Sequence, residues 1–245
     1  MIPADPETFS DDTFFNGRVV VRQPRHGYRF SVDAPILAAS LPRITEPALE
    51  IGCGCGIVSL LALFHKKFPQ VTGIEIQKQL ADLAVENASA NGFQGKMRVI
   101  SADIRTCSPD FQGVDLIFSN PPFFKVHSGH LPPRPEIRLA KFETHLTLGE
   151  FLQAGAAMLA ATGTIIFIYP YVRYAEVLKT AAGNGLHLLS RRLICPYVDG
   201  KPDRFVVQLG RIAGLSTEKE PLVVFKERGM YTPEMESILS GKTDD

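Results

Sequence analysis

The chain has 245 residues, enough for one large α/β domain or two small ones. Its 26 Lys and Arg balance 26 Asp and Glu, and zero net charge argues against a protein that coats nucleic acid by bulk electrostatics. Hydrophobic residues make up 45% and charged residues 21%, which suits a folded protein with a sizeable core.

No apolar run approaches the ~18 residues that cross a bilayer, so no membrane partner is expected. The start, MIPADPETFSDD, is acidic and lacks the basic and apolar regions of an export signal, so a cytoplasmic location is expected. Cys53, Cys55, Cys107 and Cys195 form no CxxC pair and are expected as free thiols. Charge is uneven along the chain: residues 14–30 carry Arg18, Arg22, Arg25 and Arg29 with no acid. Such local patches suit a selective anionic partner, although scattered surface charge has the same composition.

In chain order, PALEI (47–51) reads as a short strand, followed by a Gly-rich turn and an apolar helix near 57–68. VTGIEI (71–76) is a strand, and 77–91 a helix with Leu80, Ala84, Ala88 and Asn91 at helical spacing. MRVISAD (97–103) and VDLIFS (114–119) are strands. A helix over 147–161 opens on Thr147 with Glu150 three residues later, as in a capping box. GTIIFIY (163–169) is a strand and 172–183 a helix, and 186–198 and 204–212 read as two facing strands. The alternation predicts a largely parallel sheet with helices on both faces and an antiparallel edge. No linker divides the chain, so 1–245 is expected as one domain, with 1–33 leading in and 213–245 as a C-terminal extension.

After the first strand comes Glu50-Ile51-Gly52-Cys53-Gly54-Cys55-Gly56-Ile57. Alternating Gly52, Gly54 and Gly56 let backbone approach a ligand closely, at the strand end where open α/β sheets bind. A dinucleotide loop would need glycine at Ile57, and Glu50 would repel a pyrophosphate. A cationic ligand, such as a sulfonium with an α-amino group, would accept Glu50. Glu75 ends the second strand, where a carboxylate accepts from ribose hydroxyls. Asp103 ends the third and could accept from an exocyclic adenine amine. Any one of these acids could instead cap a helix. Together they outline S-adenosylmethionine, with Ile76 and Ile104 beside Glu75 and Asp103, and Asn120 after the fourth strand, counted in the same binding set. Cys53 and Cys55 read as small fillers of the loop.

The fourth strand ends in Asn120-Pro121-Pro122-Phe123. Over residues 30–212 the chain resembles the class I S-adenosylmethionine-dependent methyltransferases. EIGCGCG resembles their cofactor loop, GIEI their ribose-binding strand end and SAD their adenine position. NPPF resembles the signature of enzymes that methylate planar nitrogen. The order GYRFSVDAPILA, EIGCGCG, NPPF resembles bacterial tRNA adenine-N6 methyltransferases of the valine-tRNA type. The resemblance implies a seven-stranded Rossmann-like sheet of order 3-2-1-4-5-7-6. It also implies S-adenosylmethionine as cofactor and RNA, tRNA in particular, as partner; no metal is expected, because the histidines of the chain show no ligand pattern.

The chemistry of NPPF fits a conjugated amine, whose lone pair is a poor nucleophile. If the Asn120 side-chain oxygen and the Pro121 carbonyl each accept one N–H, the nitrogen turns its lone pair toward the methyl group. Pro121 and Pro122 hold the backbone rigid. Phe123 is placed to stack on the base, a contact of ~1–3 kcal/mol. Phe124 could contact substrate or belong to the core. Lys125 and Arg138, in the long stretch 124–145, together with Arg25 and Arg29, are candidate phosphate contacts. His127 and His130 are followed by no further ligand pattern.

Ser31 and Asp33 precede Pro35, where a helix is expected to begin, and one of them is expected to cap it. The resemblance implies that this segment closes over the methionine end of the cofactor, so both also count as cofactor candidates. Three rivals stand beside adenine-N6 methylation: guanine-N2 methylation of rRNA, glutamine-N5 methylation of protein, and non-catalytic binding of cofactor or RNA. The first two commonly carry an added domain for which no sequence is seen here. An amide aimed at a methyl group argues against the third.

Overall fold

The computed structural model describes residues 8–25, 29–107, 111–121 and 146–242. Its centre is a sheet of β3 (Ala48–Ile51), β4 (Val71–Glu75), β5 (Met97–Ser101), β6 (Val114–Ser119), β7 (Leu159–Pro170), β8 (His187–Tyr197) and β9 (Arg204–Gly210). These strands lie in the order β5-β4-β3-β6-β7-β9-β8. Renumbered from the first central strand, that is 3-2-1-4-5-7-6. β3 to β7 are mutually parallel, and β9 runs antiparallel to both neighbours.

Successive side chains of a strand face opposite ways, so each central strand feeds two cores. Ala48, Leu116, Phe118, Ile166 and Ile168 join a layer under α1 (Asp33–Ser40), α2 (Ile57–Phe64) and α3 (Lys78–Ala90). Leu49, Ile51, Ile117, Ile165 and Phe167 join the opposite layer. That layer is covered by α4 (Ile104–Cys107), α5 (Leu148–Met158) and α6 (Tyr174–Gly183), the last preceded by a 3-10 turn, Tyr171–Arg173. Both faces are buried, which is why these strands read as near-continuous apolar runs.

The sheet differs from the expectation in holding nine strands. β10 (Thr217–Glu227) pairs parallel to β8, and β11 (Met230–Tyr231) pairs antiparallel to β10. α7 (Pro233–Ser240) follows, opened by Thr232, whose side chain accepts from the Met235 N–H. A separate hairpin, β1 (Phe9–Phe14) and β2 (Val19–Pro24), was also unforeseen. Its turn buries Phe15 between Phe64 and His65, with ring centroids 4.7 Å away from each.

The capping box at α5 forms as expected: Glu150 N–H reaches Thr147 Oγ1, and Glu150 Oε2 accepts the Thr147 N–H at 2.8 Å. The helix stops earlier than its alanines suggest, at Met158, because Leu159 already pairs with Val114 in the ladder. α1 begins at Asp33 with Val32 as its cap residue and no side-chain cap. Asp33 therefore does not cap the helix, whereas the Ser31 hydroxyl, one residue before the cap position, accepts the Asp33 N–H at 3.3 Å. Asp33 instead faces Arg204 at 3.6 Å in a partly buried ion pair.

Candidate active site

The strand order reverses between β3 and β6, and open sheets bind ligands outside the carboxyl ends at such a point. Ser119 ties the two strands there by donating its hydroxyl to the Ile51 carbonyl at 2.7 Å. The loop that leaves β3 is pinned to β4: the Gly52 and Cys53 N–H groups both donate to the Ile74 carbonyl, at 2.7 and 3.1 Å. Gly52, Gly54 and Gly56 have φ of 71°, 55° and 87°, a left-handed region that side chains disfavour. Gly56 is further confined, because a Cβ there would lie 2.9 Å from Met97 Cε. Gly52 is exposed, with nothing within 4 Å of an added Cβ. The loop thus offers bare backbone outward at Gly52 and packs its far end into the core. Cys53 and Cys55 are buried fillers, and burial raises both thiols, Cys55 to about 12.

The three acids occupy different settings. Glu50 is 1% exposed and accepts a hydrogen bond from Ser59 of α2. Burial pushes its carboxyl up to about 8, with Ser59 opposing the shift. It sits beneath the loop rather than on the wall of a cleft. Glu75 accepts from the N–H groups of Gly54 and Gln77, both at 2.9 Å. A carboxylate has about four acceptor positions, so further hydrogen bonds remain available to it. Asp103 is held by Arg105 at 2.5 Å, and Arg105 also reaches Glu150 at 3.3 Å. Ile76 is exposed and Ile104 buried.

At the end of β6, Asn120 is partly buried, yet its Oδ1 is fully enclosed and has no hydrogen-bond partner among the described residues. An unpaired buried acceptor costs roughly 1–3 kcal/mol, so such a group marks a place that a donor completes. Pro121 beside it is buried. Pro122, Phe123, Phe124, Lys125 and Arg138 lie outside the described residues. Among the described residues no three His, Cys, Asp or Glu side chains gather as a metal site.

The hairpin carries the arginine cluster, and here folding changes what the sequence suggested. β1 sets acids opposite the arginines: Arg22 pairs with Asp11 at 2.9 Å and Arg29 with Asp12 at 3.1 Å. Arg25 donates to the Phe9 carbonyl at 2.9 Å, and Gln23, buried, donates to Asp12 and accepts from Phe30 N–H. The cluster is therefore largely compensated within its own hairpin.

Two asparagines of α3 hold that hairpin, and only Asn87 also reaches the loop; the sequence offers Asn91 as a member of the helical stripe and no polar role for either. Asn87, 2% exposed on α3, exchanges hydrogen bonds with the Arg22 N–H and carbonyl and also donates to the Cys55 carbonyl, all at 2.9 Å. Asn91, one turn on, exchanges the same pair with Val20, at 2.9 and 2.7 Å. Asparagines four apart beside an apolar stripe were the available signal, since a buried amide requires partners.

A family model described as "Methyltransferase small domain" matches residues 30–188. A relative from Porphyromonas gingivalis named tRNA1(Val) (adenine(37)-N6)-methyltransferase is 30% identical, covering 91% of each chain. One of the same name from Tolumonas auensis is 30% identical over 87% of this chain and 89% of its own. Among solved structures, a predicted O-methyltransferase from Agrobacterium tumefaciens superposes with a TM-score of 0.67 at 17% identity, over 87% of this chain and 98% of that one. A ribosomal protein L11 methylase from Lactobacillus delbrueckii superposes at 0.54 and 16% identity, over 76% and 82%. These two share the fold.

Proposed function

The chain belongs to the methyltransferase small domain family, an S-adenosylmethionine-dependent methyltransferase, and we propose that it methylates an exocyclic amine of RNA, adenine N6 of a tRNA. The carrying observation is the Oδ1 of Asn120 at the strand switch, enclosed and without a hydrogen-bond partner among the described residues.

The residues present fit that cofactor. Gly52 leaves backbone open, and Glu75 keeps acceptor capacity for ribose hydroxyls. Asp103 would take the adenine edge, with Arg105 sharing its carboxylate. Exposed Ile76 offers an apolar surface to the adenine ring, and Ile104 supports the strand end from inside. Glu50 acts through the loop, holding Ser59 and with it the start of α2. Ser31 and Asp33 lead into α1 beside the site, with Asp33 fixed by Arg204. The cofactor supplies an electrophilic methyl carbon.

This chain's own part is to present the nucleophile. Asn120 Oδ1 and the Pro121 carbonyl accept the two N–H groups of the amine and draw its lone pair out of the ring. Most of the acceleration comes from holding nitrogen and carbon in line, which in favourable cases supplies ~7–11 kcal/mol. No strong base is needed, because the amine proton becomes acidic only as the new bond forms. Phe123 would stack on the base, and Arg25, Arg29, Lys125 and Arg138 would meet phosphates. The target base must stand outside a duplex stack, as loop nucleotides do.

The test is incubation with radiolabelled cofactor and total tRNA, rRNA or protein, followed by nucleoside digestion. Label in N6-methyladenosine from tRNA is the expected result. Label confined to guanosine or to protein overturns the reading.

A further inference from the structure

The same edge of the sheet that presents Asn120 carries a run of uncovered rings. Ser119 pairs with Phe167, so Tyr171 stands about 10 Å beyond the position abreast of Asn120, one strand away. Tyr171 is 36% exposed and lies parallel to Tyr174, with centroids 6.1 Å apart and planes 15° apart. The turn beneath it is fixed: the Tyr171 N–H donates to the Asp203 carbonyl at 2.9 Å, and Arg173, buried, donates to Tyr169 Oη at 2.6 Å.

Two strands further across, at the end of β8, Tyr197 is 43% exposed. It leans on Phe225, which in turn stacks on Tyr231 at 5.0 Å and 17°. Val172 and Val198 stand exposed beside the two tyrosines, at 90% and 67%. Apolar surface of this kind at one end of a sheet needs an occupant. Charge nearby is mixed, with Lys201 two residues from Asp199 and Lys226 next to Glu227, so stacking outweighs bulk attraction.

Resting on the RNA reading above, the geometry points to a base-stacking platform, Tyr171 and Tyr197, for unpaired nucleotides flanking the one that enters the site. A planar ring held rigidly with one face free is what an unstacked base requires, and every base has such a face. Tyr171 and Tyr197 stand at the same end of the sheet as Asn120, past the carboxyl ends of β7 and β8, with the amino end of β9 between those two strands.

The chain has no tryptophan, so Tyr171→Trp and Tyr197→Trp each report from one place by fluorescence. An RNA hairpin with an adenosine-containing loop is expected to quench both, and a blunt duplex of the same composition to quench neither. Tyr171→Ala is expected to raise KM for the hairpin roughly 5- to 100-fold with cofactor Kd unchanged, and Tyr171→Phe to restore it. Absent quenching in both reporters, or an unchanged KM for Tyr171→Ala, overturns the platform. So does a change in sedimentation without a change in KM, which assigns the patch to self-association. Quenching without methyl transfer to adenine leaves the platform standing and sinks the substrate reading; methylated RNA with both reporters silent does the reverse.

Discussion

The side-chain amide of Asn87 stands 2.9 Å from the carbonyl of Cys55, in the middle of the cofactor loop, while holding both backbone groups of Arg22. One buried group therefore joins the loop to the hairpin. Asn91 makes the same exchange with Val20 but does not touch the loop.

Asn87→Ala leaves the buried Cys55 carbonyl and the half-buried N–H and carbonyl of Arg22 to find other partners, at ~1–3 kcal/mol for a buried group that fails. It is expected to lower unfolding free energy by several kcal/mol in denaturant titration and to weaken cofactor binding. Asn91→Ala is expected to destabilise while leaving cofactor Kd near its original value. Equal effects of the two on Kd would show that Asn87 does not support the loop.

Asn120→Ala removes the enclosed acceptor. A single preorganised hydrogen bond at a reacting group is worth about 10²–10³ in turnover, and a loss of that order in kcat is expected. Calorimetric cofactor affinity is expected to stay within about threefold, a change of no more than ~0.7 kcal/mol. The variant should also be slightly more stable, having lost an unpaired polar atom.

Glu50 predicts a pH dependence of stability. Its carboxyl is raised to about 8 in the fold against an ordinary 4.5, so between these values the folded chain binds more proton than the unfolded chain. Stability from this group is full below pH ~4.5 and is lost as pH rises toward 8. At ~1.4 kcal/mol per pH unit the total is on the order of 5 kcal/mol. Glu50→Gln does not titrate, so its unfolding free energy relative to the parent should climb across that window. A constant difference from pH 5 to 8 would mean that Glu50 titrates normally.

Gly52 and Gly56 share a left-handed backbone but differ in surroundings. Alanine at either costs ~1–2 kcal/mol in strain. Gly56→Ala adds the clash with Met97 and should unfold first on heating. Gly52→Ala, in open space, should keep most stability and lose cofactor affinity. The opposite ranking would place the ligand-facing backbone elsewhere in the loop.

Much of the site is legible in the sequence because its signals are local. Glycines at alternate positions specify backbone conformation wherever they occur, and Asn-Pro-Pro ends a strand by the chemistry of its own rings. The capping box at Thr147 and the β3–α2–β4–α3 alternation are read within single turns and strands, and the structure keeps them.

What faces what was decided only by folding. The arginines at 22 and 29 look unbalanced in sequence, but β1 folds back and sets Asp11 and Asp12 against them. Glu50 reads as a ligand for a cation, yet the pleat turns it inward onto Ser59. Asn91 reads as one more member of a helical stripe, but its amide completes the edge of a strand more than 70 residues away. β10 and β11, unforeseen, are strands because β8 offers a free edge. Charge compensation, burial and ladder pairing all depend on partners distant in the chain, and spacing along the sequence carries no record of them.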